Sequence, residues 1–220
     1  MDFQSLFVRF DFLEIIQEND NNIVIKLKGI PIQYANALRR ICLAGIPTFA
    51  VDDVVIIENS SVLPDEGVAH RFAMIPLRTD LERFIEPSAC DCHSELGCSR
   101  CRVLLMLDSG NSDTTRTITS SEISSEDEIV KPVSPNIPIV ALAPGQKLKV
   151  EAYARLGRGR DHAKWNSATV AALTSTNNPE EHILNIETTG SLTPKEVLRA
   201  SIEELEKRLG EFQKNVATLG

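Results

Sequence analysis

The sequence predicts an α+β fold. Three observations lead there. Residues 23–27 and 147–155 alternate apolar and polar side chains with the period of a half-buried strand. Between 33 and 44 the apolar period lengthens to that of a helix. A long second helix, announced by Thr193-Pro-Lys-Glu196, occupies 194–216.

Ile23, Ile25 and Leu27 alternate with Val24, Lys26 and Lys28, and Gly29 ends that strand. Pro31 precedes the helix over 33–44, where Tyr34, Leu38, Ile41 and Cys42 form the apolar stripe. Cys42 reads as a small core residue, and Arg39 and Arg40 stand off the stripe. Gly45 and Pro47 stop the helix. At Ala50 the composition changes, and 50–58, with Val54-Val-Ile-Ile57, reads as a buried strand. A polar loop at 59–61 leads to a short helix over 65–74 before Pro76. A cysteine-rich stretch follows, then a strand over 102–107.

Residues 108–128 are rich in Ser, Thr, Asp and Glu and read as a solvated loop with an edge strand at 115–119. Pro132, Pro135 and Pro138 cannot donate to a ladder, so their stretch is an extended crossing. Over 147–155, Leu148, Val150, Ala152 and Ala154 share one face and Lys147, Lys149, Glu151 and Tyr153 the other. Residues 175–181 form a polar connector, 183–187 a last strand with His182 exposed at its opening, and Gly190 a turn. Thr193 caps the final helix, Pro194 fits its first turn and Glu196 closes the capping box.

Composition narrows the function. At 220 residues, 42% hydrophobic and 25% charged, the chain is long enough for one large domain or two small ones. A net charge of −8 argues against a general nucleic-acid binder. No apolar run reaches the roughly 18 residues a membrane span needs. The N-terminus, with Phe7, Arg9, Asp11 and Glu14, lacks a signal-peptide core, so the expected compartment is the cytoplasm.

Four of the five cysteines, Cys90, Cys92, Cys98 and Cys101, fall within twelve residues. Four thiolates at about 2.3 Å close a tetrahedral shell around Zn²⁺ with no open position, which makes such a site structural. Free thiols and an iron–sulfur cluster are the alternatives, although the C-x2-C-x2-C run is missing. His93 offers a substitute ligand beside Cys92.

Gly157 to Trp165, G-R-G-R-D-H-A-K-W, is the densest basic stretch and holds the only tryptophan. It suits either a solvated loop or a protein anchor, since Arg and Trp are enriched at interface hot spots. In the last helix Leu198, Ile202, Leu205, Leu209, Phe212 and Val216 step by 4, 3, 4, 3 and 4 residues. That narrow seam packs along a partner helix, on the chain's own sheet, or on both in turn. No G-x-S-x-G or H-E-x-x-H pattern occurs, and neither His70 nor His162 stands beside a nucleophile, so the chain reads as a non-enzyme.

Asn36-Ala-Leu-Arg-Arg-Ile41, His70-Arg-Phe-Ala-Met-Ile-Pro-Leu77, the Gly157–Trp165 run and Ile186-Glu-Thr-Thr-Gly-Ser-Leu-Thr-Pro194 together resemble the alpha-like subunits of multisubunit DNA-directed RNA polymerase. The similarity is to the archaeal form of that family, counterpart of the eukaryotic third-largest subunit and of the bacterial alpha N-terminal domain. It runs in unbroken order from about Ile23 onward.

The resemblance implies a dimerisation domain of antiparallel sheet and two helices split between 1–49 and 173–220. A mainly β domain, with the cysteine loop, is inserted at 50–172. It implies a non-catalytic assembly subunit for transcription. This subunit pairs through Leu198, Ile202, Leu205, Leu209 and Phe212 with a small alpha-like subunit, called L in archaea. It then engages the small zinc subunits N and P and the large catalytic subunits, without touching DNA. Arg39 and Arg40 resemble the helix arginines that meet a large subunit, and Arg158, Arg160, His162, Lys164 and Trp165 resemble the contact loop of the inserted domain. The cysteine loop resembles the eukaryotic zinc loop, with a longer gap between Cys92 and Cys98. Only a short polar stretch separates Trp165 from Ile183, so no ferredoxin-like iron–sulfur domain is expected there. The rival class is a stand-alone, zinc-stapled, nucleic-acid-binding homodimer.

Overall fold

A computed structural model describes residues 12–94 and 97–218. Phe7, Arg9 and Asp11 lie outside the described residues. The chain divides into two compact units. One holds the described residues up to Ile46, Ala168–Thr188 and the chain from Thr193 on; the other holds Pro47–Ser167 and Thr189–Leu192.

The first unit is a four-stranded antiparallel sheet with two helices on one face. Its strands are β1 (Leu13–Glu18), β2 (Asn22–Lys28), β9 (Ala168–Ser175) and β10 (Glu181–Thr188), in the order β1-β2-β10-β9. The period-2 pattern of β2 works as expected: Ile23, Ile25 and Leu27 are fully buried. Leu184 and Ile186 of β10 lie opposite Ile25 and Ile23 and continue that face. Helix α1 (Ile32–Ala44) covers it with Ala35, Leu38, Ile41 and Cys42. Helix α3 (Pro194–Ala217) joins it with Val197, Leu198 and Ser201. Both arms of the α3 capping box form: the Thr193 hydroxyl accepts from the Glu196 N–H, and the Glu196 carboxylate accepts from the Thr193 N–H.

Two strands of this unit, β1 and β9, carry no alternating signal. All of β1 is exposed, with Leu13, Ile15 and Ile16 among its residues. Both of its faces are exposed, so neither selects its apolar positions. The α3 seam also divides. Leu198 is buried, but no described residue from Ile202 to Thr218 is; Ile202, Leu209, Phe212 and Val216 are 45–67% exposed.

His182 departs from its expected place. It is 2% exposed, because the paired strand begins at Glu181, before the apolar run, and puts His182 on the inward face with Leu184. Neither ring nitrogen has a hydrogen-bond partner among the described residues. An unsatisfied buried polar group costs about 1–3 kcal/mol. His182→Leu is therefore expected to raise stability by about 1 kcal/mol, read as a rightward shift of the urea midpoint with unchanged slope. A loss of stability would show that the ring's polarity is needed.

The second unit is built on a second antiparallel sheet, β3 (Pro47–Asn59), β8 (Leu148–Arg158), β4 (Arg102–Asp108) and β6 (Ile123–Ser125), in that order. A two-stranded sheet of β5 (Arg116–Thr119) and β7 (Pro138–Leu142) and helix α2 (Asp65–Ala73) accompany it. The core gathers Phe49, Val51, Val68, Phe72, Leu77, Leu105, Leu107, Ile118, Ile139, Val150 and Ala154. The β8 alternation is as expected, with Leu148, Val150, Ala152 and Ala154 all inward.

Strand β3 differs from the expectation of a buried strand. It starts at Pro47, and its second half leaves Val55 48% and Ile57 51% exposed. Among the described residues it pairs with β8 alone, and register shifts at Val51/Asp53 and Ile56/Glu58 turn it, so one face of that half meets solvent. The acidic stretch 108–128 is more ordered than a solvated loop. β5 and β6 run through it, and Asp127 is buried, accepting the N–H groups of Ile129 and Val130 and pairing with Arg83 at 2.9 Å.

Candidate metal centre and contact surfaces

The cysteine loop folds so that its four thiols converge. Cys90 follows a 3₁₀ turn at Pro87–Ala89, and Cys101 directly precedes β4. Between them Gly97 sits at φ +76°, a conformation open to glycine, and a Cβ there would lie 3.3 Å from the Cys101 sulfur. The Cys101 N–H and the Arg102 N–H both donate to the Cys98 carbonyl at 2.9 Å, and the Cys98 N–H donates to the Cys101 sulfur at 3.1 Å. Arg100 and Asp91 form an exposed ion pair across the loop.

The four sulfurs all lie within 4.8 Å of one another. Cys90–Cys98, Cys92–Cys101 and Cys98–Cys101 are 3.7, 3.8 and 3.8 Å apart. A tetrahedron of ligands about 2.3 Å from a zinc ion has edges of about 3.8 Å. The donor set fits. His93, at φ +46°, is outside this quartet.

The thiols differ in acidity. The backbone N–H of Arg100, with the neighbouring thiols, pulls Cys98 down to about 7. Burial pushes Cys101 up to about 12. A soft cation held by all four sulfurs would require each of them as thiolate, so its binding would release the thiol protons.

The basic run turns much of its charge inward. Arg158, at the end of β8, grips the Glu86 carboxylate through two nitrogens at 2.8 and 2.5 Å, its side chain 11% exposed. Lys164 reaches Asp52 at 2.6 Å and lies 4.2 Å from the centre of the Trp165 ring. Arg155 pairs with the same Asp52 carboxylate. Burial opposes the Asp52 charge, but hydrogen bonds from Lys164 and Arg155 outweigh it and hold the carboxyl below its usual range. Trp165 is 6% exposed and donates its indole N–H to the Arg155 carbonyl at 3.2 Å. Arg160 and His162 are exposed, Arg160 beside Asp161 at 3.5 Å and His162 accepting the Lys164 N–H on Nδ1.

Gly157 makes this packing possible, since a Cβ there would overlap the Trp165 indole. Gly157→Ala is expected to displace the indole and cost about 1–3 kcal/mol through overpacking. Tryptophan fluorescence should move to longer wavelength as the ring meets water. An unshifted spectrum with unchanged stability would show that the ring is not held there.

On α1, Arg39 is half-buried and donates to Asn36 Oδ1 at 2.9 Å and to the Ala171 carbonyl at 3.3 Å. Arg40 is exposed.

Residues 54–192, which contain the cysteine loop and the basic run, match the family model of the RNA polymerase Rpb3/RpoA insert domain. The chain is 42% identical over 161 residues to DNA-directed RNA polymerase subunit Rpo3 of Methanosphaera stadtmanae, an alignment covering 71% of this chain and 58% of that one. It is 45% identical over 159 residues to Rpo3 of Pyrococcus furiosus, covering 72% and 57%. Against Rpo3 of Methanosarcina acetivorans it is 34% identical over 202 residues, covering 90% and 73%. The chain belongs to the Rpo3 family. It spans little more than half the length of the first two of these relatives.

In this Rpo3-family chain three structural partners went unseen in the sequence: Glu86, Asp52 and Arg155. The pair Asp52-Asp53 inside an otherwise apolar strand was the available signal for one of them, since a carboxylate there needs a cation. Nothing local marks Glu86, which lies 72 residues from Arg158.

Proposed function

We propose that this chain is a non-catalytic assembly subunit of DNA-directed RNA polymerase, pairing with a small alpha-like subunit (L) before the small zinc subunits N and P and the large catalytic subunits add. The observation that carries this reading is the second half of α3. From Ile202 to Val216 the helix leaves its own sheet and displays an apolar seam. A helix seam of that kind is completed by packing against another helix. Exposed Leu13, Ile15 and Ile16 on β1 add apolar surface to the same unit. Family membership supplies the partner class, and among the described residues no helix is long and apolar enough to cross a membrane. The place of action is the cytoplasm.

Four cysteines at tetrahedral spacing support zinc as a structural ion at Cys90, Cys92, Cys98 and Cys101. It would staple a loop whose only buried hydrophobic residues, among those described from Cys90 to Cys101, are those two terminal cysteines. Arg40, Arg160 and His162 are the groups left facing outward for larger partners, while Arg39, Arg158, Lys164 and Trp165 hold the surfaces that present them.

Native mass spectrometry of the chain, alone and co-expressed with a small alpha-like subunit, tests the reading. The expected result is a one-to-one heterodimer with one zinc. A homodimer indifferent to that partner, with salt-dependent binding of DNA or RNA, would instead establish the stand-alone nucleic-acid-binding class.

The two α1 arginines are expected to separate. Arg40→Ala should leave stability and the heterodimer unchanged but weaken addition of a large subunit at least about tenfold. Arg39→Ala should also lower stability, by about 1 kcal/mol, through its lost hydrogen bonds. Gel filtration of stepwise assembly and a urea melt distinguish them; equal loss of both assembly steps with Arg40→Ala would assign that residue to the fold.

A further inference from the structure

We propose that the cysteine centre positions the exposed tip Arg160–Ala163, so that a metal held by the four thiolates sets how this tip is presented to solvent. The proposal rests on the zinc and contact readings above, and it adds a physical link between them. That link is Glu86.

Glu86 stands four residues before Cys90, at the start of the turn Pro87–Ala89 that leads into the first ligand. The N–H of its neighbour Ile85 donates to the carbonyl of Arg100, between the last two ligands, at 3.0 Å. Glu86 is therefore tied to both ends of the cysteine loop. Its carboxylate holds Arg158 through two nitrogens, and both side chains are largely shielded from water, at 26% and 11% exposure. A two-point carboxylate–guanidinium contact fixes orientation as well as distance.

From Arg158 the path continues through the backbone. The Arg158 carbonyl accepts the N–H of Asp161 at 2.9 Å and of His162 at 3.4 Å, which turns the chain through Arg160. The Trp165 N–H then returns to the His162 carbonyl at 3.1 Å. Moving Glu86 moves Arg158, and moving Arg158 moves this turn. Arg160, Asp161, His162 and Ala163 are all exposed at its outer side. Arg160 lies beside Asp161 at 3.5 Å, so the tip carries both signs of charge.

Metal bonds would matter here because the sulfurs hold one another only weakly. Thiol contacts at 3.7–3.8 Å are weak hydrogen bonds. Four metal–thiolate bonds would replace them with a rigid frame, and Glu86 would inherit that rigidity.

Hydrogen exchange by mass spectrometry on the full chain tests this in three states: zinc-loaded, chelator-treated, and zinc-loaded Glu86→Gln. The readout is the peptide carrying the amides of Asp161, His162, Trp165 and Asn166. Chelation and Glu86→Gln should each speed its exchange about tenfold or more. In Glu86→Gln the β4–β8 amides should stay protected and native mass spectrometry should still count one zinc. Should chelation also open β4 and β8, the zinc-loaded variant decides. A tip that exchanges at the wild-type rate in that variant, or in chelated protein with β4 and β8 intact, overturns the coupling and leaves the zinc reading standing. A chain that takes up no zinc overturns both, and the stoichiometry reports that outcome separately from the exchange.

Discussion

With zinc held as proposed, replacing Cys101 by Ser is expected to abolish its retention and to loosen the whole stretch from Cys90 to Arg102. Cys101 is 1% exposed and sits one residue before β4, so it ties the loop directly to the sheet. A hydroxyl is a poor replacement for a thiolate toward zinc, and three remaining sulfurs leave the shell open. Apparent binding energies of structural zinc in small domains reach about 10–16 kcal/mol, and much of this is folding energy of the segment it closes. The second unit has a large apolar core of its own, centred on Phe49, Phe72, Leu105 and Ile139. The expected damage is thus local: zinc content falls from one to none per chain, and the loop becomes a site of rapid proteolysis. The melting temperature should drop by several degrees, at about 2–4 °C per kcal/mol for a chain of this size. Zinc at one per chain with an unchanged melt would show that the four cysteines are not the ligands.

On the proposed function, Leu209→Asp together with Phe212→Asp is expected to abolish pairing with a small alpha-like subunit while leaving the isolated chain as stable as before. Phe212 is 67% and Leu209 49% exposed, so neither supports the chain's own core. The helix before them is anchored independently by Val197, Leu198 and Ser201 and by its capping box. At a packed helix interface, each apolar anchor that is lost costs about 2 kcal/mol or more, and a carboxylate buried in its place adds a desolvation penalty. The combined loss should exceed about a thousandfold in affinity. Native mass spectrometry should show the free chain alone, with an unchanged circular dichroism spectrum. A heterodimer that persists would place the interface elsewhere, with the β1 surface next to be tested.

How much of this was legible in the sequence follows from the range of the forces involved. Helix α3, its cap and its seam were readable because Thr193, Pro194 and Glu196 act on neighbours within one turn, and the seam repeats every three or four residues. Strands β2 and β8 were readable because one face of each is buried and the other wet, which writes an alternation into the chain. Strand β9 was not. Its Ala168, Ala171 and Ala172 carry little apolar contrast, and it is a strand because β10 pairs with it from His182 to Thr188. The exposed half of β3 misled for the opposite reason: Val55 and Ile57 are as apolar as core residues, yet no element among those described covers them.

The sequence by itself determined the α+β class, the positions of the three helices and the grouping of four cysteines, since each depends on residues close together in the chain. Tertiary structure alone decided which charges are spent inside the fold. Arg158 and Lys164 stand in a basic run, and their pairing with Glu86 and Asp52, 72 and 112 residues away in the chain, is visible only in the fold. His182 looks like a surface group until the register of β10 turns it inward. A charge or a polar ring takes its role from what stands within a few ångströms of it, and in this chain those neighbours come from distant segments.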